Sequence, residues 1–85
     1  MNIRALKTNI KEGMVVYSVD QDFSTLEEFT TKKEAKAFIA KIKKTDKEYG
    51  EEIEYTLVKK KLVNIKQIND YMISYQSIVL EEEVF

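Results

Sequence analysis

The sequence predicts an α+β domain: a small antiparallel sheet with one amphipathic helix packed on a face and a short N-terminal helix. Three observations predict it. Thr31-Lys32-Lys33-Glu34 forms a capping box directly before an apolar stripe of Ala35, Phe38, Ile39 and Ile42 at i, i+3, i+4, i+7, which is the mark of an amphipathic helix. Runs rich in β-branched and aromatic residues stand on both sides of it. The chain has no Pro and only two Gly among 85 residues, so no linker divides it and residues 1–85 form a single compact domain.

Taken in order, Ile3, Leu6 and Ile10 recur at i, i+3, i+7 with Arg4, Lys7 and Lys11 between them, and Gly13 follows as a left-handed cap. Ten residues barely hold a helix alone, so this one is expected to dock as a lid. Met14–Val19 carries apolar side chains on both faces, as an inner strand does. Asp20-Gln21-Asp22 reads as a turn and Leu26–Phe29 as the second arm of a hairpin. The helix opened by the capping box is expected over residues 32–44, and Gly50 ends the loop after it.

Ile53, Tyr55 and Leu57 alternate with Glu54, Thr56 and Val58 and predict a strand running toward Val63. Beyond it the pattern supports two readings. Asn64 with Gln67 caps a helix bearing Ile65, Ile68, Met72 and Tyr75 at helical spacing; alternatively, Asn69-Asp70 turns a hairpin whose second arm is Tyr71–Leu80. The density of Ile, Tyr, Ser and Val after residue 71 favours strand there, so the expectation is a short helix at 64–70 and a strand at about 72–81.

Composition narrows function more by exclusion than by motif. A chain this short buries about 60% of its unfolded surface, and its stability is expected to be a few kcal/mol. Fourteen Lys+Arg against fifteen Asp+Glu give a net charge of −1, too little for bulk attraction to nucleic acid or lipid. Without Cys there is no thiolate nucleophile, disulfide framework or zinc finger, and without His there is no Ser–His pair or ordinary acid–base group near neutral pH. The reading is therefore not an enzyme, with no cofactor and no metal. No apolar run reaches the ~20 residues of a membrane span and no signal peptide opens the chain, so the expected compartment is the cytoplasm.

Three clusters remain as candidate contact surfaces. The helix carries Lys32, Lys33, Lys36, Lys41, Lys43 and Lys44 against Glu34, and Lys59, Lys60 and Lys61 follow in the third strand. Lys32, Lys33, Lys36, Lys43 and Lys59–Lys61 would make a phosphate-binding patch if the helix packs beside that strand, whereas a solvated helix face needs no ligand. Carboxylates gather at Asp20 and Asp22, at Glu27 and Glu28, at Glu51, Glu52 and Glu54, and at Glu81, Glu82 and Glu83. The Asp20-Gln21-Asp22 segment lacks the Gly and bidentate Glu of a calcium loop, so these groups read as turn and edge charges.

Tyrosine, which buries a ring while its hydroxyl stays wet, supplies the third cluster. Tyr17 and Tyr55 are expected in the core; Tyr49, Tyr71 and Tyr75 are the surface candidates, and with Glu81, Glu82 and Glu83 they make the expected partner-binding set. Val84-Phe85, after three glutamates, either folds back as a plug or lies exposed as a contact, and a loose tail is the expectation.

The stretch Phe29-Thr30-Thr31-Lys32-Lys33-Glu34-Ala35, entered from a strand and followed by an Ala/Phe/Ile helix, resembles the strand-to-helix junction of arm-type DNA-binding domains in tyrosine recombinases, over residues 14–44. That resemblance implies a DNA-reading sheet with basic residues on its hairpin, where this chain has Asp20, Asp22, Glu27 and Glu28. With its charged segment Thr45-Asp46-Lys47-Glu48-Tyr49-Gly50 and a Tyr-rich strand, the chain also resembles small proteins of Gram-positive bacteria and their phages that have no assigned role. Together these readings lead to a non-catalytic protein-interaction module, of the kind phages and mobile elements use to inhibit a host protein (anti-defence or anti-CRISPR inhibitors are of this class). The alternative is a nucleic-acid-binding module built on the lysines. A homodimer through an unprotected sheet edge is a further expectation.

Overall fold

The computed structural model describes residues 10–70 and 72–85. Their elements run β1 (Val15–Gln21), β2 (Ser24–Phe29), α1 (Lys32–Glu48), β3 (Thr56–Asn69) and β4 (Met72–Val84). The four strands form one antiparallel sheet in the order β2-β1-β3-β4, and α1 packs over β1 and β2. This is the α+β class the sequence predicts. The expected N-terminal helix falls largely on residues 1–9, outside the described residues; Ile10–Glu12 are not helical, and Gly13 is left-handed (φ 80°) in a turn.

β1 is an inner strand because both of its faces are apolar. Tyr17 and Val19 point to the helix side with Leu26, Phe29 and Leu57, and Ala35 and Ile39 of α1 seal this core. Phe29 and Phe38 meet at 5.5 Å between ring centroids. Val16 points the other way and packs with Leu62, beneath Ile10, Met14, Ile65 and Tyr75. Of the two expected core tyrosines, Tyr55 is buried and Tyr17 is half-buried against the same cluster.

The capping box forms as predicted on the Thr31 side: its hydroxyl accepts from the Glu34 amide (3.2 Å) and donates to the Glu34 carboxylate (2.8 Å). The helix does not stop at residue 44. It runs four residues further, through Thr45-Asp46-Lys47-Glu48, and Gly50 (φ 73°) follows the C-cap Tyr49 as the left-handed terminator rather than closing a separate loop.

The hairpin turn lies two residues later than Asp20-Gln21-Asp22 suggests. Gln21 pairs with Ser24, and Asp22 and Phe23 form a two-residue loop with φ values of 48° and 68°. Two positive φ angles match the right-handed twist of the strands, so the tight turn forms despite lacking a glycine.

The helix expected at 64–70 is strand. β3 continues to Asn69 and turns back into β4, the hairpin alternative of the sequence reading. The apolar spacing misleads because of bulges. The register shifts between Val63 and Lys66, where Asn64 takes a left-handed φ of 53°, and again between Gln67 and Asn69. Each extra residue widens an apolar gap from two to three, so Leu62, Ile65 and Ile68 copy a helical interval. Asn64 is held by its amide donating to both Glu12 carboxylate oxygens (2.8 and 3.0 Å) and by its side chain donating to Gln76 (2.6 Å). Nor is the C-terminus loose: Tyr55 and Phe85 exchange backbone hydrogen bonds of 3.0 and 2.8 Å, and the Phe85 ring packs on the core.

Phe23 sits in the left-handed region while its side chain is fully in solvent, so its ring compensates for none of the backbone cost. Phe23→Gly is expected to raise stability by about 1 kcal/mol, or roughly 4–8 °C in melting temperature for a domain of this size, measured by thermal denaturation.

Candidate functional site

The sequence-predicted lysines do not share one surface. The β1–β3 register places Lys59 and Lys61 on the helix side of the sheet, with Tyr17 and Val15, and Lys60 on the other, with Val16. Along α1, Lys32, Lys36 and Lys43 form a column on the flank next to the chain end, and each is engaged within the fold. Lys32 meets Glu83 at 3.5 Å, Lys36 lies 6.0 Å from the Phe85 ring centroid, and Lys43 donates to the Ile53 carbonyl (3.3 Å) beside the Tyr55 ring. Both members of the Lys32–Glu83 pair are about half exposed, so the contact orients more than it stabilises. Lys33, Lys41 and Lys44 are exposed.

Beneath that column lies a polar contact. The buried Tyr55 hydroxyl donates to Asp46 on the last turn of α1, at the rim of an open hollow lined by Lys43, Asp46, Glu51, Ile53, Val84 and Phe85. Desolvation, then the hydrogen bond to Asp46 and the charges of Asp46 and Glu51, push the Tyr55 phenol up to about 12. A phenol held protonated at every physiological pH serves as a strut, fixing the segment before β3 to the end of the helix.

The expected partner-binding set is divided as well. Glu81, Glu82 and Glu83 are all exposed near the end of β4. Tyr49 is exposed at the helix C-cap. Tyr75 is half-buried against Val16 and Leu62 on the face opposite the helix, where burial and then the charge of Glu28 raise its phenol. Tyr71 lies outside the described residues.

What the sequence reading missed is the length of β4 and its bare apolar centre. β1 pairs with β3 only from Thr56 to Lys61, so the distal part of the β3–β4 hairpin extends beyond that six-residue register as a two-stranded ribbon. β4 is an edge strand of 13 residues, and among the described residues no strand pairs with its outer side. Ile78, Val79 and Leu80 in its middle are 51%, 52% and 46% exposed. Met72 and Ile68 are exposed near the ribbon tip and Val84 at the other end. The signal was available: Met72–Leu80 is a nine-residue uncharged run without Gly or Pro, which reads as an edge segment once the helix at 64–70 is replaced by strand.

Among the described residues no helix is long and apolar enough to cross a membrane, and no three acidic side chains converge as a metal site. No family model, curated protein or solved structure matches the chain.

Tyr55 fixes a pH dependence. Its folded pKa lies above the ordinary 10, so its contribution is fully present below pH 10 and is lost as pH rises toward about 12, because the unfolded phenol ionises first. Tyr55→Phe is expected to be less stable at neutral pH, having left Asp46 unpaired. The stability gap between the two proteins should narrow from pH 10 to 12, measured by urea denaturation at each pH.

Proposed function

We propose that the chain is a non-catalytic protein-interaction module whose contact element is β4, engaged by strand addition along its outer edge. The observation that carries this reading is the exposed Ile78-Val79-Leu80 centre on a 13-residue unpaired edge. An edge strand offers a row of backbone donors and acceptors, and folds that do not use such an edge cover, shorten or charge it. The other edge is managed in that way: β2 has six residues, is bulged opposite Val19/Asp20, and carries Glu27 and Glu28.

Strand addition divides the work. Main-chain hydrogen bonds to the added strand give affinity, while the side chains of β4 select its sequence. The apolar centre supplies the desolvated anchor, and Glu81–Glu83 at one end select against an acidic partner strand. Inhibition of a host protein is one use of such a module, since an occupied strand edge or groove is closed to its natural ligand. The lysine-based alternative loses support from the internal engagement of Lys32, Lys36 and Lys43 and from the opposite placement of Lys60.

The test pairs two measurements. At physiological salt, the purified chain is expected either to self-associate or to retain a stoichiometric protein from host lysate, and the variant E81K/E82K/E83K to lose or exchange that partner. A wild-type chain that is monomeric by light scattering and retains no protein overturns the reading. A gel shift of nucleic acid whose affinity falls steeply with salt would replace it with the lysine-based one.

A further inference from the structure

We propose that the strand added to β4 is β4 of a second copy, paired antiparallel about a two-fold axis that passes through the Ile78 pair. The inference rests on the reading of β4 as the contact element and names its partner.

Charge sets the direction. β4 has an uncharged polar half (Ser74-Tyr75-Gln76-Ser77), an apolar centre (Ile78-Val79-Leu80) and an acidic half (Glu81-Glu82-Glu83). In-register parallel pairing would set each glutamate beside its own copy, which like charges on adjacent strands oppose. Antiparallel pairing sets the acidic half of each copy against the polar half of the other, where hydroxyl and amide donors can meet the carboxylates.

The bulge sets the register. Lys59 faces Glu81 and Lys60 faces Val79, so Leu80 is the extra residue and the alternation of side chains shifts by one across it. The helix-side row is therefore Ser74, Gln76 and Ile78, then Glu81 and Glu83. The other row is Tyr75, Ser77 and Val79, then Glu82 and Val84. Paired strands must place facing side chains on the same side of the sheet. Around the proposed axis Ile78 faces itself and Val79 faces Ser77 of the second copy; past the extra Leu80, Glu81 faces its Gln76, Glu82 its Tyr75 and Glu83 its Ser74. Each pair lies on one face, and each carboxylate meets a side chain able to donate. The apolar centres of the two copies then meet at the axis, covering three of the exposed hydrophobic residues.

On the helix side α1 packs over β1 and β2 and meets the end of the chain with the long side chains of Lys32, at Glu83, and Lys36, at Phe85, while Ile78 stays exposed at the edge. The two-fold axis stands perpendicular to the sheet, so both helices fall on the same face of a continuous eight-stranded sheet. An isologous contact of this kind closes on itself at two copies.

The native chain has no cysteine, so introduced thiols report the register without interference. Gln76 and Glu81 are exposed, and directly facing residues of paired strands have the Cα spacing a disulfide requires. A mixture of Gln76→Cys and Glu81→Cys proteins is expected to form a disulfide-linked dimer under mild oxidation, and neither variant alone to do so. Light scattering of the wild type is expected to give about twice 10.0 kDa. Val79→Lys, at an exposed position, is expected to weaken self-association about tenfold or more while the far-ultraviolet circular dichroism is unchanged.

Cross-linking of either single variant as readily as the mixture overturns the register. A monomeric wild type without cross-linking overturns the second copy as partner. If that monomer retains a different protein through β4, the interaction reading stands; if it retains none, both fall.

Discussion

The structure turns on one mismatch of length. β3 is 14 residues long, but its pairing with β1 spans only Thr56 to Lys61, while its pairing with β4 runs from Thr56 to Asn69. Its first half is thus an inner strand with neighbours on both sides, and its second half belongs to a two-stranded ribbon. An isolated two-stranded ribbon is marginal in water. This one survives because it bends: the bulge at Asn64, pinned by Glu12 and Gln76, brings Ile65 and Tyr75 over Val16 and Leu62 as a second small core. The fold therefore has two unequal cores on opposite faces of one sheet, the larger under α1 and the smaller under the bent ribbon.

The same mismatch explains why Lys32, Lys36 and Lys43 of α1 reach back toward the end of the chain. The helix lies chiefly over β1 and β2 and covers Leu57 at the start of β3, which leaves the rest of the helix side of β3 and β4 more open. Long side chains on its flank fill part of that space, their stems covering apolar surface while their ammonium groups reach a carbonyl, a carboxylate or a ring. Lys43 over Tyr55, Lys36 over Phe85 and Lys32 to Glu83 follow this pattern and tie the end of the chain to the helix. Three of the lysines that read as a binding face from the sequence thus serve as the edge of a core.

Legibility followed locality. The capping box and stripe of α1, the inner character of β1 and the burial of Tyr55 were readable because each depends on neighbours a few residues away or on composition. Helix α1 was read four residues short because Thr45-Asp46-Lys47-Glu48 is polar, although Asp46 proves to carry the contact to Tyr55. The segment 64–70 was misread because a bulge is invisible to periodicity: it converts the interval of a strand into the interval of a helix. Asn64 was the local clue, since asparagine accepts a left-handed backbone more readily than most residues. The candidate site suffered most. Glu81–Glu83 stand out by charge alone, whereas the uncharged run Met72–Leu80 becomes a bare edge only once the sheet order places β4 outermost.

Sheet order also bears on how an edge of this kind remains compatible with a well-behaved protein. A nine-residue uncharged run rich in Ile, Val, Leu and Tyr on an open edge is a template for endless stacking. Two features limit it. Glu81–Glu83 adjoin the run and penalise parallel, in-register addition, which is the geometry most fibrils use. The bulge at Leu80 shifts the facing of the two halves of the strand, so a partner strand pairs with both only by shifting its register there, as β3 does between Lys59 and Lys60. A second copy meets that requirement at Ser77 and places its own bulge symmetrically on the other side of the axis. Once it is added, the outer edges left are those of β2, short and bulged, and growth has no further edge of the same kind to use. The features that discourage indiscriminate strand addition are thus the ones that select a single partner geometry.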